Sequence, residues 1–155
     1  MTAPLKKRPA RFNRLLVNTG TEESPNYVVV KGLSKIEMPI AATEVDVSDF
    51  DSEGWDDSLV THRGWSVNLE GFDGFTGPNN APVDDPGQAY LKAVGLVTAY
   101  EAYANVRMYR TDTNKGYEGR VSVSWNGPGG DVKGVEPFKA TLKGSGVLSA
   151  YTHED

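Results

Sequence analysis

The chain has no cysteine and only two histidines, His62 and His153, among its 155 residues. Without cysteine there are no disulfides, no thiolate nucleophiles and no cysteine-ligated zinc. Neither histidine has a partner at the spacing of a zinc site or a catalytic triad. Redox chemistry is therefore not expected, and the sequence predicts no bound cofactor.

Long apolar runs are also missing. None approaches the roughly 20 residues that a membrane-spanning helix needs, and the basic N-terminus is not followed by the apolar block of a signal peptide. Glycines fall at turns and strand ends instead of forming a phosphate-binding loop. We expect one soluble domain without a membrane partner, since a chain of this length can bury roughly 68–70% of its unfolded surface.

Charge is divided unevenly along the chain, although the net charge is only −5. Residues 1–14 contain five basic residues and no acid. The chain has 16 basic and 21 acidic residues, so residues 15–155 keep 11 basic against 21 acidic residues, a charge of −10. A basic arm of residues 1–14 thus precedes an acidic domain of residues 15–155. Such an arm can bind nucleic acid, but charge complementarity favours the acidic surface of an identical neighbour.

Most of the domain has the pattern of short strands and turns. In residues 65–70 apolar and polar side chains alternate, which predicts a strand with Trp65, Val67 and Leu69 in a core. Residues 106–110 and 117–125 flank a turn-forming segment and predict a hairpin. The same alternation gives the strands at 65–70 and 117–125 a polar face each. Ser66, Asn68 and Glu70 lie on the first, and Ser122 and Ser124 on the second.

One helix is predicted at about residues 85–101. Asp85 is suited to the N-cap, Pro86 to the first helical position, and Gln88 to a capping box with Asp85. A helix of that length would place Tyr90, Ala93, Val94, Val97 and Tyr100 on its buried face. The fold class is therefore mainly β, a β-sandwich or barrel with one flanking α-helix.

A long acidic loop is predicted at residues 46–64, and it contains the stretch DFDSEGWDD at residues 49–57. Asp49, Asp51, Glu53 and Gly54 match the first half of a calcium-binding EF-hand loop, but the closing position is Val60 instead of glutamate. A pair of catalytic carboxylates, as in a glycosidase using Asp51, Glu53 or Asp57, needs two different environments and a second site. Five acids on one loop repel one another and stay hydrated.

Protein contact is the remaining interpretation of this loop. Phe50 and Trp55 are large apolar side chains among charged neighbours, a composition typical of protein–protein hot spots. The alternative is that Trp55 folds back over its own domain. From the sequence both stay open.

The order of segments resembles the major tail tube protein of long, non-contractile-tailed bacteriophages. The resemblance runs from about Arg11 to the C-terminus. It rests on Val30-x-Gly32-Leu33, on residues 44–71, on the capped helix, on GYEGRVSV at 116–123 and on FKATLKGSGVLS at 138–149.

The resemblance implies a structural virion protein and not an enzyme. Members of that family form hexameric rings that stack into the tail tube, through which DNA passes without sequence-specific binding. They join subunits and rings through the N-terminal arm, the long loop and the C-terminal segment. The implied partners are further copies of the chain and the tape measure, tail terminator and tail-tip proteins. The implied location is the virion tail, after synthesis in the cytoplasm of the infected bacterium.

Two sets of site residues follow from the resemblance. The candidates for contacts between subunits and rings are Lys6, Lys7, Arg8, Arg11, Asp49, Phe50, Asp51, Glu53, Trp55, Asp56 and Asp57. The candidates for the lumen are Ser66, Asn68, Glu70, Ser122 and Ser124. A lumen that conducts a polyanion should be acidic or neutral, and Lys133, Lys139 and Lys143 depart from that expectation.

Two other functions stay open. A carbohydrate- or surface-binding β-sandwich module would use Trp55, Trp65 and Trp125 as a stacking platform. A secretion-system tube subunit or another tail protein of the same fold is the second, because a fold alone does not determine function.

Overall fold

Antiparallel strands are the main regular elements of the computed structural model, which describes residues 2–154. Met1 of the arm and Asp155 at the end of the domain lie outside the described residues. The strands are β1 (Asn13–Asn18), β2 (Tyr27–Val29), β3 (Leu33–Glu37), β4 (Ile40–Asp46), β5 (Ser58–Phe72), β6 (Phe75–Thr76), β7 (Val83–Asp84), β8 (Tyr103–Arg110), β9 (Lys115–Trp125), β10 (Pro137–Gly144) and β11 (Ser149–Thr152). The α-helix α1 is Pro86–Val94, and short 3-10 helices are Ala10–Phe12, Phe50–Ser52 and Ala99–Ala102.

The main sheet curls into a half-barrel. Its strand order is β2-β1-β8-β9-β10-β5-β3, with β11 added to β9 and β4 added to β5; β6 and β7 form a separate ribbon. Strands β2 and β3 lie at opposite ends of this order but follow one another in the chain. Gly32 connects them at φ 82°, where a Cβ would lie 2.6 Å from the carbonyl oxygen of Phe72. The prediction of a mainly β fold with one flanking helix is confirmed.

The core lies inside the curl of the sheet. Trp65, Val67 and Leu69 are buried there, as the alternation predicted. Leu142 of β10 pairs with Val67 across the two strands. Burying one such aliphatic side chain contributes about 1.5–3 kcal/mol. The hairpin of β8 and β9 is also confirmed.

The helix begins where the sequence predicts but ends seven residues early. Asp85 accepts a hydrogen bond from the backbone N–H of Gln88 at 3.2 Å, and Pro86 is the first helical residue. The helix ends at Val94 because Gly95, a poor helix former, passes close to the Cβ of Trp125. The chain then turns, and Ala99 adopts a φ of 58°.

The buried face of α1 differs from the predicted one. Gly87, Gln88, Leu91 and Val94 are buried, whereas Tyr90 is only half-buried. The prediction was wrong for Ala93, Val97 and Tyr100, which are exposed. The predicted face assumed helical spacing beyond Val94, where the chain is no longer α-helical.

Gln88 does not complete a capping box. Its side-chain amide donates to the carbonyl oxygens of Lys31 at 2.7 Å and Phe72 at 2.9 Å. Its side-chain oxygen accepts from the N–H of Gly74 at 3.3 Å. This buried side chain therefore joins the helix to the β2–β3 connection and to the end of β5.

Replacing Asp85 with alanine tests how the helix start is held. The Asp85 carboxylate also accepts from the N–H of Lys31 at 3.2 Å, so the change leaves two backbone donors without their partner. We expect the free energy of unfolding to fall by about 1–2 kcal/mol. Urea denaturation measures it, with Asp84→Ala at the neighbouring exposed position as the matched control. Equal losses in the two variants would contradict the capping role.

Candidate assembly surfaces

A ribbon of two strands projects from the main sheet. β4 pairs with the first half of β5, from Ile40 opposite Trp65 to Asp46 opposite Ser58. The pairing of β5 with β10 begins only at Ser66, so residues 58–64 of β5 pair with no strand other than β4 among the described residues. Every residue from 40 to 64 is exposed except Ser52, which is half-buried.

The predicted loop of residues 46–64 is therefore too long. Residues 58–64 form a strand, and only residues 47–57, called the acidic tip below, connect the two strands. Because the tip is acidic, residues 58–64 after it were predicted as part of the same loop instead of as a strand. Val60 favours strand structure, and Leu59 and Val60 pair with Val45 and Glu44 of β4, a pairing that the local sequence does not reveal.

The acidic tip is ordered by its own hydrogen bonds. The Asp49 carboxylate accepts from the N–H of Asp51 at 3.0 Å and from the hydroxyl of Ser52 at 3.1 Å. Glu53 and Gly54 follow with φ of 54° and 84° and reverse the chain. Hydrogen bonds from the side chain and backbone of Ser48 lower the pKa of Asp46, which adjoins the tip, so this carboxylate stays ionised in weak acid.

The carboxylates of the tip do not converge on one point. Within residues 2–154 no three histidine or acidic side chains are grouped to hold a metal ion. Val60 pairs with Glu44 in the ribbon instead of closing a coordination loop. Asp51, Glu53 and Asp57 are all exposed, so burial does not separate their environments as acid–base catalysis requires. The calcium and glycosidase interpretations find no support.

The two aromatic side chains of the tip point into solvent. Phe50 is 104% exposed and Trp55 is 80% exposed. Trp55 therefore does not fold back over its own domain. Val45 and Leu59 on the ribbon are exposed as well. Clustered apolar side chains of this kind mark a surface that contacts another protein.

The basic arm is shorter than the predicted residues 1–14. Residues 2–9 have no regular secondary structure and are exposed, including Lys6, Lys7 and Arg8. Arg110 anchors the end of this segment by donating to the carbonyl oxygen of Pro9 at 2.9 Å. Arg14 lies within β1, because that strand pairs with β8 from Asn13 onward.

The C-terminal strand β11 packs on its own subunit. His153 stacks on Tyr109 with 4.2 Å between ring centroids, and its Nδ1 lies 2.9 Å from the hydroxyl of Tyr151. Arg107 lies between Tyr27 and Tyr151, at 3.7 and 4.6 Å from their ring centroids. Burial is the main cause that raises the pKa of Tyr27. These contacts hold the end of the chain against β8 and β9.

The five predicted lumen residues lie on one face of the sheet, opposite the core. Thr141 of β10 is opposite Asn68 of β5 on one side and Ser124 of β9 on the other. In the same way Lys143 is opposite Ser66 and Ser122. Glu70 belongs to this face and pairs with Lys139. The face is polar but carries Lys139 and Lys143 along β10, the lysines already noted as departures from an acidic or neutral wall.

A cleft between β1 and β3 was not predicted. It has a volume of about 570 Å³, and residues 10–14 and 33–37 line it. A second space of about 320 Å³ reaches the β2–β3 connection and shares Arg14 and Leu33 with the first. The cleft exists because β2 and β3 pair with different ends of the sheet, a long-range arrangement that leaves no local signal in the sequence.

The three tryptophans do not form a sugar-binding platform. Trp65 is 7% exposed and donates from Nε1 to the carbonyl oxygen of Gly146 at 3.1 Å. Trp125 is half-buried, with the ammonium of Lys92 5.6 Å from its ring centroid. Trp55 alone is exposed, so the carbohydrate-binding alternative has no support.

Comparison with known proteins finds neither a matching family model nor a matching curated relative. Solved structures do match. A subunit from the tail of an empty gene transfer agent particle, solved with C6 symmetry, superposes with a TM-score of 0.66 at 19% identity, over 95% of this chain and 100% of that chain. A subunit of the SPP1 tail tube gives 0.65 at 12% identity, over 95% and 80% of the two chains. This chain has the tail-tube fold.

The tail-tube fold is not confined to tubes. A chain of the anti-feeding prophage baseplate, symmetrised six-fold, superposes with a TM-score of 0.54 at 12% identity, over 98% of each chain. Within residues 2–154 no helix is long and apolar enough to cross a membrane.

Proposed function

We propose that this chain is a structural virion protein whose hexameric rings stack into a tail tube. The observation that carries the proposal is the tail-tube fold over 95% of the chain, matched to 100% of a tail subunit from a C6-symmetric particle. The tube conducts DNA from head to host. Its further partners are the tape measure, terminator and tail-tip proteins, and it is made in the cytoplasm of the infected bacterium.

The ribbon suits a contact that propagates from ring to ring. An isolated two-stranded ribbon is only marginally stable in water, so one that is exposed on all sides gains from a partner. Stacking needs a heterologous, head-to-tail contact, because such a contact repeats without closing on itself. The tip and the arm lie on different parts of the subunit and carry opposite charge, which favours their pairing between copies.

The polar face of the sheet suits a hydrated bore. Pairing the free sheet edges of neighbouring copies would remove edges that otherwise invite aggregation. Ser66, Asn68, Ser122 and Ser124 offer neutral polar groups to water. Lys139 adjoins Glu70, so part of the cationic charge is balanced locally and does not form an uninterrupted track for phosphates.

Electron microscopy of the purified protein tests the proposed function. Six-fold rings or tubes are the expected result at high protein concentration. The likeness to a baseplate chain favours a second candidate, a place at the end of a tail instead of in its shaft. Single rings that never elongate would favour that second candidate, and a protein that stays monomeric at every concentration would overturn both.

Reversing the charge of the arm should block tube growth. The variant Lys6→Glu, Lys7→Glu, Arg8→Glu places three carboxylates where the acidic tip of a neighbour is proposed to dock. These residues are exposed and make no core contact, so the domain should stay folded. Turbidity and electron microscopy follow growth, and circular dichroism follows folding.

The matched control is Lys115→Glu with Lys133→Glu, which reverses exposed cations outside the arm. Growth should continue in this control. Tubes of normal length from the arm variant would rule out pairing between arm and tip.

A further inference from the structure

The cleft between β1 and β3 is positively charged and has an apolar floor. Arg11, Arg14 and Lys35 are at its rim, and Lys35 also borders the polar face of the sheet, where it lies opposite Glu70. The single acid that lines it, Glu37, lies 3.3 Å from the ammonium of Lys35 and is neutralised by it. Leu33 and Ile36 form the floor and pack on the hydrophobic core. We call this surface the cationic cleft.

Both strands beside the cationic cleft offer unpaired backbone. β3 pairs with β5 along one edge, and no strand of residues 2–154 pairs with its other edge. On the edge of β1 away from β8, the Leu15 carbonyl accepts from the N–H of Val30 at 2.9 Å and the pairing with β2 begins at Leu16, so no strand of the described residues pairs there with Asn13 and Arg14. Edges of this kind bind additional polypeptide through main-chain hydrogen bonds.

The acidic tip has the complementary chemistry. With Asp46 beside it, the tip presents six carboxylates and no basic residue between positions 46 and 57. Phe50 and Trp55 are exposed and suit the apolar floor, since a buried aromatic anchor within a polar rim is the usual centre of a tight interface. We propose that the cationic cleft, which begins directly after the arm at Ala10 and Arg11, is the docking site for the acidic tip of a second copy of this chain, so that the tip meets the arm and the cleft together.

The subunit's own tip cannot occupy its own cleft. The ribbon leaves the sheet directly after β3, and the seven residues of β4 carry the tip about 23 Å away at 3.3 Å per residue. The register that binds β4 to β5 prevents the ribbon from folding back. The contact is therefore between copies and head-to-tail.

A second groove is the main rival for the tip. It lies at the base of the ribbon, has a volume of about 620 Å³, and is lined by Ile40, Trp65, Val147 and Leu148 among others. Arg63 is its only charged lining residue. Its apolar lining suits the aromatic side chains of the tip, but one arginine does not balance six carboxylates. Charge complementarity therefore favours the cationic cleft.

Because the chain has no cysteine, cross-linking between pairs of introduced cysteines reports this contact without background from native thiols. Asp56→Cys marks the tip, and Arg14→Cys or Lys35→Cys marks the cleft. Mild oxidation or a short bismaleimide should then give covalent dimers and higher ladders on a denaturing gel. Asp56→Cys with Val147→Cys tests the rival groove, and Asp56→Cys with Asn80→Cys in the exposed β6–β7 connection is the control for random collision.

Charge exchange gives an independent measurement. Arg14→Glu with Lys35→Glu should slow elongation about tenfold or more, since removing electrostatic complementarity lowers association rates by that order. Adding Asp51→Lys and Asp56→Lys to the tip, two exposed positions whose carboxylates do not order the tip, should restore elongation. A folded quadruple variant that elongates no faster than the double variant would count against the cleft.

The inference rests on the proposed function, but the two fail differently. If the unmodified protein forms tubes and the tip cross-links to Val147→Cys but not to either cleft position, the cationic cleft is overturned and the tube stands. Equal ladders from cleft, groove and control pairs would also overturn it. If the unmodified protein forms neither rings nor tubes, the proposed function is overturned, and the docking inference is overturned with it.

Discussion

Replacing the acidic tip with a two-residue Asn-Gly turn is expected to abolish ring stacking and leave the domain folded. Asp46 and Ser58 pair directly, so an Asn-Gly hairpin turn can join them without altering the ribbon register. The change removes five carboxylates of residues 47–57 together with Phe50 and Trp55. Hot-spot aromatic residues contribute about 2–4 kcal/mol each, so the association constant should fall by a factor of about a thousand or more. Sedimentation velocity and electron microscopy measure this loss.

The β6–β7 connection offers a matched control for the tip variant. Thr76 and Val83 pair as the last residues before that turn, and residues 77–82 are exposed. Replacing residues 77–82 with Asn-Gly makes a similar change elsewhere on the surface and should leave assembly intact. Both variants should keep the urea midpoint of the unmodified protein, because neither change removes a buried side chain. Tubes formed by the tip variant would remove the ribbon from the assembly mechanism.

The elements that were predicted correctly depend on local sequence. Alternation of apolar and polar residues is visible within six residues of β5, and it identified Trp65, Val67 and Leu69 as core. The N-cap at Asp85 followed by Pro86 is equally local. Such signals need no knowledge of distant strands, because strand periodicity and helix capping act over one to six residues.

The elements that were missed depend on distant partners. Residues 58–64 look like the continuation of an acidic loop until β4 is placed beside them. The helix ends at Val94 partly because Gly95 meets Trp125, which is 30 positions away in the sequence. The cationic cleft requires β2 and β3 to pair with opposite ends of the sheet, and no spacing along the chain encodes that arrangement.

The polar face shows how far composition can mislead about a site. The domain carries a net charge of −10, which favoured an acidic lumen wall. Six of its 21 acids lie between positions 46 and 57 of the ribbon, while β10 places Lys139 and Lys143 on the face that was predicted to line the bore. Net charge influences solubility and the rate of association with partners. The position of each charge on the surface depends on the sheet register.

Replacing Gln88 with methionine should destabilise the domain by about 3 kcal/mol, because it removes three part-buried hydrogen bonds to the backbone at about 1 kcal/mol each. Gln88 is 2% exposed, and its amide bonds to Lys31, Phe72 and Gly74. Methionine has nearly the same length and helix propensity, so the packing of α1 changes little and the lost hydrogen bonds dominate. Urea denaturation measures the change, with Ala93→Met at an exposed position of the same helix as the control, where an effect within about 0.5 kcal/mol is expected. A loss below about 1 kcal/mol in the Gln88 variant would mean that water reaches these backbone groups and that the helix is held to the sheet by its apolar face alone.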